Sequence, residues 1–500
     1  MSENMDEKIA AADVGAMEKG SDSDIKVGDL IEVHATLEEE AKVLAKIDRF
    51  ILPLMGVCQM LQYMDKVTLG FTTQLGLTKD LHLHGKEYSW ASSVFYFGYL
   101  FWSWPSSYIA VRFPLAKYLA VTVAVWGVVL MCHGATTDYK GLVVARFFLG
   151  VSESAVAPGF SLLTGMFYKR KEQPSRMCVW FIGNGVANLV AGLIAYGIGQ
   201  ISGSLAPWRY LFIILGAITV CWGVVLFFLL PDSPSKARFL NAEEKVVALH
   251  RTIENKTGIM DENTYKVQQS FEALKDPQAW LLALFMFSVN IANGGTTSFN
   301  SIIIHDFGFS PLNSLLLQMP NGLFQLGGLA FVSICSTYLG NTRLFCMALM
   351  VLFGLIGMIM VLSLPSEQKF ARLGGLWLSA MWAVDIPMAL ALIASNVGGF
   401  SKRATVNGMM FIGYCTGNIV GPQLFFASQA PRYPTGIKGL LSGFALGVFF
   451  LCLLWVYYRV ENSRRDSKYG AADAISQDEE LEEDLSNKTD REIPHFRYVR

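Results

Sequence analysis

Stretches of roughly 20 mostly apolar residues recur along this chain, separated by short polar connections, and a helix of that length crosses a hydrocarbon core of about 30 Å. Residues 50–75, 88–112, 116–135, 141–165, 177–200 and 208–231 form one set, and 279–304, 312–338, 343–363, 373–397, 405–428 and 439–459 form another. A hydrophilic stretch from Asp232 to Gln278 divides them six and six. The pattern predicts an all-α integral membrane protein of twelve transmembrane helices in two six-helix bundles, 49–231 and 279–460, joined by a linker at 232–278. Transporters built from two such halves place substrate at the midplane between them. Internal identity between the halves is not visible by eye, so the count of helices carries the inference.

The ends differ from the middle. Residues 1–48 and 461–500 are polar, the latter with an acidic run from Asp478 to Asp484, and both are expected to be disordered cytoplasmic tails. Inside the linker, Asn241 precedes a helical pattern with acids in its first turn, expected to lie along the cytoplasmic face. Basic residues gather in alternate connections: Lys169, Arg170, Lys171 and Arg176, then Lys402 and Arg403, then Arg459, Arg464 and Arg465. Their bias places both termini in the cytoplasm. Asn255-Lys-Thr257 and Asn487-Lys-Thr489 match the glycosylation pattern on the wrong side of the membrane for it.

Composition agrees with a polytopic membrane protein, since 16% charged residues falls well short of the quarter expected in a soluble domain. A net charge of −1 gives no footing for nucleic acid. All eight cysteines lie in apolar segments without CxxC or CxxH spacing, which argues against disulfides or a metal site and for core packing. No phosphate-binding loop, GxSxG elbow, HExxH or dinucleotide fingerprint stands in a suitable context. ATP-driven pumping and most enzyme classes are thereby set aside, leaving an ion gradient as the energy source and no cofactor.

Against this apolar background the buried charges stand out. Arg146 and Glu153 are seven residues apart, about two turns, and share one face of the fourth helix. Asp65 and Lys66 are adjacent in the first helix and point about 100° apart, so they meet different partners. At about 1.5 Å per residue, Asp65 lies roughly 22 Å from the cytoplasmic end of its helix and Arg146 roughly 8 Å from the outer end of its own, which are matching depths, with Glu153 near the midplane. Charge at such depth costs a few kcal/mol or more and by default marks function. Two cations and two acids so placed suit the neutralisation of an organic anion by Lys66 or Arg146 and proton binding by Glu153 or Asp65; the competing reading is a buried ion network that holds the two helices together.

The second half has one acid at mid-span depth, Asp385, followed two residues later by Pro387. It is either a second protonation site or an acid satisfied by backbone groups that the proline frees. Asn300, Asn418 and Gln423 belong to a polar, uncharged set of side chains suited to hydrogen-bonding amide, carboxamide or ureido groups of a substrate, although helix-to-helix bonding also explains any one of them.

Several stretches together resemble the fungal allantoate permease family, a branch of the anion:cation symporters within the major facilitator superfamily. They are Gln62-Tyr-Met-Asp-Lys66, Tyr88 to Tyr99, Arg112 to Lys117, Arg146 to Glu153 with Pro158, Leu230-Pro-Asp-Ser-Pro234 and Gly417 to Gln423, and the resemblance spans about residues 48–460. It implies the major facilitator fold and proton-coupled uptake of a small organic anion across the plasma membrane. Its acids, mapped onto Asp65 and Glu153, are implied in proton coupling, and its bases, mapped onto Lys66 and Arg146, in holding the substrate's negative charge. Two departures follow: Lys66 stands where bacterial relatives carry arginine, a point charge in place of a fork, and Phe400 stands where the fungal pattern has histidine. The expectation is a monomeric importer of a small, nitrogen-containing carboxylate, with proton and lipid bilayer as its other partners. Export of an endogenous metabolite and nutrient sensing without transport are the rival readings.

Overall fold

The computed structural model describes residues 36–169, 172–253, 266–339, 341–470 and 487–499. Proposed features of the remaining residues, including the acidic run, Arg170, Lys171 and the Asn255 motif, lie outside them.

The first half comprises α1 (Leu37–Gln74), α2 (Glu87–Arg112), α3 (Leu115–His133), α4 (Tyr139–Glu153), α5 (Val156–Phe167), α6 (Gln173–Gly199) and α7 (Pro207–Leu229). Two linker helices follow, α8 (Ala242–Ile253) and α9 (Val267–Leu274). The second half comprises α10 (Pro277–Asp306), α11 (Pro311–Leu316), α12 (Met319–Tyr338), α13 (Arg343–Ser363), α14 (Lys369–Ser379), α15 (Asp385–Asn396), α16 (Phe400–Gln423) and α17 (Pro434–Tyr469).

The pairs α4/α5, α11/α12 and α14/α15 are each one interrupted membrane crossing, and each break has a proline four residues on. Pro158, Pro320 and Pro387 lack the N–H that would bond to Ser154, Leu316 and Ala383, and their rings crowd those carbonyls. The third break tightens into a 3-10 segment, Ala380–Val384. Caps start other helices: Thr36 and Glu39 form a capping box on α1, Asp138 accepts from Gly141 N on α4 and Asp276 accepts from Gln278 N on α10.

Among the described residues nine crossings are apolar enough to span a membrane by composition alone. The three crossings that fall short, α1, α2 and α16, all lie at the interface between the bundles. That interface pairs α1 with α10, α2 with α16, and α6 with α11 and α12. Within the first bundle α2 crosses α4 at Gly98 and Gly150, where a Cβ on either glycine would overlap a carbonyl of the other helix, so this contact is backbone on backbone.

One face of the molecule carries the start of α1, the linker helices and the end of α17, and is called here the termini face; the opposite one is the far face. On the termini face Arg251 of α8 pairs with Glu172 at 2.6 Å and Glu40 at 3.7 Å, while Lys169 pairs with Glu40 at 2.8 Å and Arg176 with Asp48 at 3.0 Å. The linker thus lies on this face, as its pattern suggests.

Two expectations about the ends need correction. Helix α1 begins at Leu37, because the capping box starts the helix a full three turns before the apolar run. The chain past Glu461 is not disordered throughout: α17 continues to Tyr469, and 487–499 pack against the second bundle. Asp490 and Thr489 are buried there, Tyr498 stacks on Tyr458 with ring centroids 4.9 Å apart, and Asn396 and Asn462 each exchange a pair of hydrogen bonds with the backbone of Val499 and Tyr498. A third correction concerns the cysteines, all of which are free: Cys58, Cys346 and Cys415 are buried, but Cys132, Cys221 and Cys452 are exposed on the helix surfaces.

Candidate functional site

The charged layer sits where α1, α3 and α4 meet. Lys66 Nζ lies 3.6 Å from Glu153 Oε2, with the lysine side chain 14% exposed and the glutamate wholly buried. Asp65, pointing elsewhere, accepts a short hydrogen bond from the indole N–H of Trp126 on α3. Adjacent residues of one helix therefore take partners on different helices, as the 100° offset requires. Arg146 lies 5.8 Å from the Phe212 ring centroid, and its Nε and Nη2 have no hydrogen-bond partner among the described residues. Asp65 Oδ1 and both carboxylate oxygens of Glu153 likewise accept no hydrogen bond there. Four charged side chains are thus clustered across about two turns of α4 with spare hydrogen-bonding capacity among the described residues.

An aromatic wall encloses Lys66. Its Nζ is 5.5 Å from the Tyr99 ring centroid and 5.8 Å from that of Phe95, and these α2 rings touch α16 through Tyr99–Phe411 at 5.4 Å and Tyr96–Tyr414 at 6.0 Å. A cation facing ring surfaces is stabilised without being neutralised. The wall spans the two bundles, so any motion between them changes what surrounds Lys66.

On another face of α1, Tyr63 and Val67 border a central cavity of about 50 Å³. Most of the remaining lining is amide and hydroxyl, including Asn188 from α6, Asn293 and Asn300 from α10, and Gln318, Asn321 and Gln325 before and along α12. That volume holds a water or two, against the roughly 300 Å³ or more of a ligand site. Substrate entry therefore requires the bundles to part.

The far face is shut. Tyr88 Oη donates to Ser298 O at 2.6 Å, Ser301 Oγ to Gly70 O at 2.6 Å, Ser93 Oγ to Ile419 O at 2.8 Å and Gln423 Nε2 to Ser93 Oγ at 3.0 Å, all between the bundles. At mid-depth Asn188 Nδ2 donates to Gln325 Oε1 at 3.0 Å. Tyr96 of α2 and Tyr414 of α16 also hydrogen-bond across the seam.

Of the residues singled out from sequence, the structure brings Lys66, Glu153, Asp65 and Arg146 within electrostatic reach of one another and puts Asn300 in the cavity wall, its Nδ2 3.3 Å from Gln318 Oε1. Asn418 is elsewhere: buried between α10 and α16, it donates to Asn290 Oδ1 at 3.0 Å and accepts from Asn293 Nδ2 at 3.0 Å. Gln423 ties α16 to Ser93. Neither lines the cavity, and both bond helix to helix. Asp385 is buried with both carboxylate oxygens free of hydrogen bonds among the described residues. Sequence reasoning missed Trp126, whose indole in a Val- and Leu-rich helix needs an acceptor. It also missed Gln318, Asn321 and Gln325, whose i, i+3, i+7 spacing marks one helix face.

An all-helical membrane protein of two facing bundles, with a polar cavity at mid-depth and a charged layer beside it, is built as a transporter. Residues 55–422 match the family model of the Major Facilitator Superfamily, and the chain belongs to that superfamily, in its allantoate permease-like group. It is 37% identical to the allantoate permease of Saccharomyces cerevisiae over 94% of this chain and 88% of that one. It is 39% identical to the uncharacterized transporter C460.05 of Schizosaccharomyces pombe, over 93% of this chain and 87% of that protein. Solved structures with the same fold include a bacterial homologue of the lysosomal transporter Spinster in an inward-facing, occupied conformation (TM-score 0.59, 14% identity, 82% of this chain and 96% of that one). The xylose transporter XylE of E. coli, partially occluded and inward open, is similar at a TM-score of 0.59 and 13% identity, over 83% of this chain and 98% of that one. The protein is a membrane transporter of small molecules, not an enzyme.

Proposed function

We propose that this transporter imports a small organic anion, a carboxylate with amide or ureido nitrogen or a pyridine carboxylate, together with protons by alternating access. The observation that carries this reading is the Lys66–Glu153 pair, buried beside Arg146 and Asp65 at the seam between the bundles. Lys66 and Arg146 supply positive charge for the substrate's carboxylate. Glu153, freed from Lys66 when the substrate takes its place, binds the proton, and Asp65 shares the load. The amides of the cavity, Asn300 among them, meet the uncharged polar part of the substrate. The likeness to a permease named for allantoate supports the substrate class, and no cofactor beyond the proton gradient is needed.

The basic residues of the termini face support a cytoplasmic placing of both ends, which makes the far face the outer one. The conformation described above is then closed outward, and the protein works at the plasma membrane as a monomer. The test is uptake of labelled allantoate and nicotinate at acid pH in cells lacking their own permeases. Accumulation that collapses on adding a protonophore is the expected result; a surface-expressed protein that accumulates neither compound, or exports one, overturns import.

A further inference from the structure

Asp385 lies outside the charged layer just described and belongs to the other bundle. It stands at the junction between the 3-10 segment Ala380–Val384 and α15, wholly buried, with neither carboxylate oxygen hydrogen-bonded among the described residues. Its chain neighbours border two adjoining cavities: Ser379, Trp382 and Ala383 border the central one, while Val384 and Pro387 border a smaller one of about 10 Å³ that shares Gln325 and Ala383 with it.

Among the described residues no counter-charge pairs with it. The segment packs against α12, α13, α14, α16 and α6. Helix α12 has no Lys, Arg, Asp or Glu, only the Cys335 thiol and, at its exposed end, Tyr338. On α13, the Cys346 thiol is within electrostatic reach of Asp385, and Arg343 is turned to Ser395 Oγ and to Ala391 O at 3.4 Å. On α14, Arg372 donates to Val361 O at 3.2 Å and Lys369 reaches Gly308 O at 3.5 Å, both at the far end of the helix. On α16, Lys402 is held by three carboxylates and Arg403 donates to Val397 O at 3.0 Å; on α6, Arg176 is paired with Asp48. An ionised carboxylate left unpaired at this depth is costly enough that the group takes up a proton instead.

We propose that Asp385 is a proton-binding site of the second bundle, separate from Glu153, which holds its proton in the conformation closed at the far face and releases it when the 3-10 segment rewinds. The geometry of release is built in. A 3-10 helix turns about 120° per residue and an α-helix about 100°, so rewinding the five residues Ala380–Val384 turns Asp385 by roughly 100° about the helix axis. That changes which side of α15 the carboxyl occupies, beside the two small cavities that its chain neighbours border. The coupling part of the proposal rests on proton-driven transport; the protonation part does not.

Two readouts separate them. In infrared spectra of the purified full-length protein at neutral pH, the carbonyl band of a protonated carboxyl should be lost in Asp385→Asn and kept in Glu153→Gln. Spectra of wild type and Asp385→Asn that coincide overturn the proton site. In proteoliposomes, with labelled allantoate as the probe, Asp385→Asn should move one proton fewer per allantoate than wild type, with counterflow exchange retained. An unchanged ratio overturns its role in coupling. A wild type that moves no allantoate refutes the transport reading and, with it, the coupling role, while the infrared arm still decides whether Asp385 carries a proton.

Discussion

At the scale of single residues, the contrast is between a charge that is paired and one that is merely enclosed. Lys66 has Glu153 at 3.6 Å and two aromatic rings, whereas Arg146 has a ring and two nitrogens without partners. Both are therefore able to take an anion, Lys66 by giving up a partner and Arg146 by gaining one. A hydrogen bond to a charged group contributes about 1.5–3 kcal/mol, so Lys66→Ala and Arg146→Ala should each raise the half-saturation concentration for allantoate by about tenfold or more. Initial-rate uptake over a range of concentrations checks this, and unchanged values for both would remove them from the binding site. The charged residues were legible in the sequence because charge inside an apolar run has few explanations. Partners such as Trp126 were not, since which helix an acid meets is a property of packing. Asn418 and Gln423 show the limit from the other direction: an amide in a membrane helix reads the same whether it faces a cavity or a neighbouring helix.

Among elements, the least expected is the segment 487–499. Its Asp490 reaches Lys402 at 2.6 Å, and the same wholly buried lysine takes Asp276 at 2.7 Å and Glu272 at 2.9 Å, so one cation at the start of α16 gathers the C-terminal segment, the cap of α10 and the linker helix α9. Breaking a buried pair by removing one partner costs about 3–5 kcal/mol. Lys402→Met should therefore lower the thermal midpoint by several degrees and expose the C-terminal segment to protease, and deletion of 487–500 should lower the midpoint likewise; midpoints like wild type in both, with an unchanged cleavage pattern in Lys402→Met, would contradict the clamp. Burial alone would raise the carboxyl of Asp276, but the charge and hydrogen bond of Lys402, with Gln278 and Arg491, hold it below the ordinary carboxylate range. A group depressed on folding stabilises above its unfolded value, about 4 for an aspartate, and loses that contribution as pH falls through its folded one. The clamp should accordingly hold through neutral pH and loosen only in stronger acid. Nothing in a polar, acidic tail announces such docking, because its hydrogen bonds depend on Asn396, Asn462 and Lys402 being brought to one face by the fold. The helix breaks were more legible, since Pro158, Pro320 and Pro387 are visible in the chain.

For the whole molecule, apolar length and the central polar linker were enough to read two bundles of six helices, because the bilayer sets both the length of each crossing and its composition. The boundary of the first helix was less legible, since a capping box extends α1 beyond the apolar run. The pairing of α1 with α10, α2 with α16 and α6 with α11 and α12 was not legible at all, and it is this pairing that sets Lys66 and its aromatic wall at the moving seam. Coupling between proton and anion at that seam is the central claim. Its most direct measurement is the pH of a weakly buffered medium outside proteoliposomes when allantoate or nicotinate is added, for wild type and Glu153→Gln. Symport through Glu153 predicts alkalinisation with wild type, a smaller one with Glu153→Gln, and counterflow exchange by both. Substrate entry into wild-type vesicles without alkalinisation, or alkalinisation undiminished in Glu153→Gln, would contradict it.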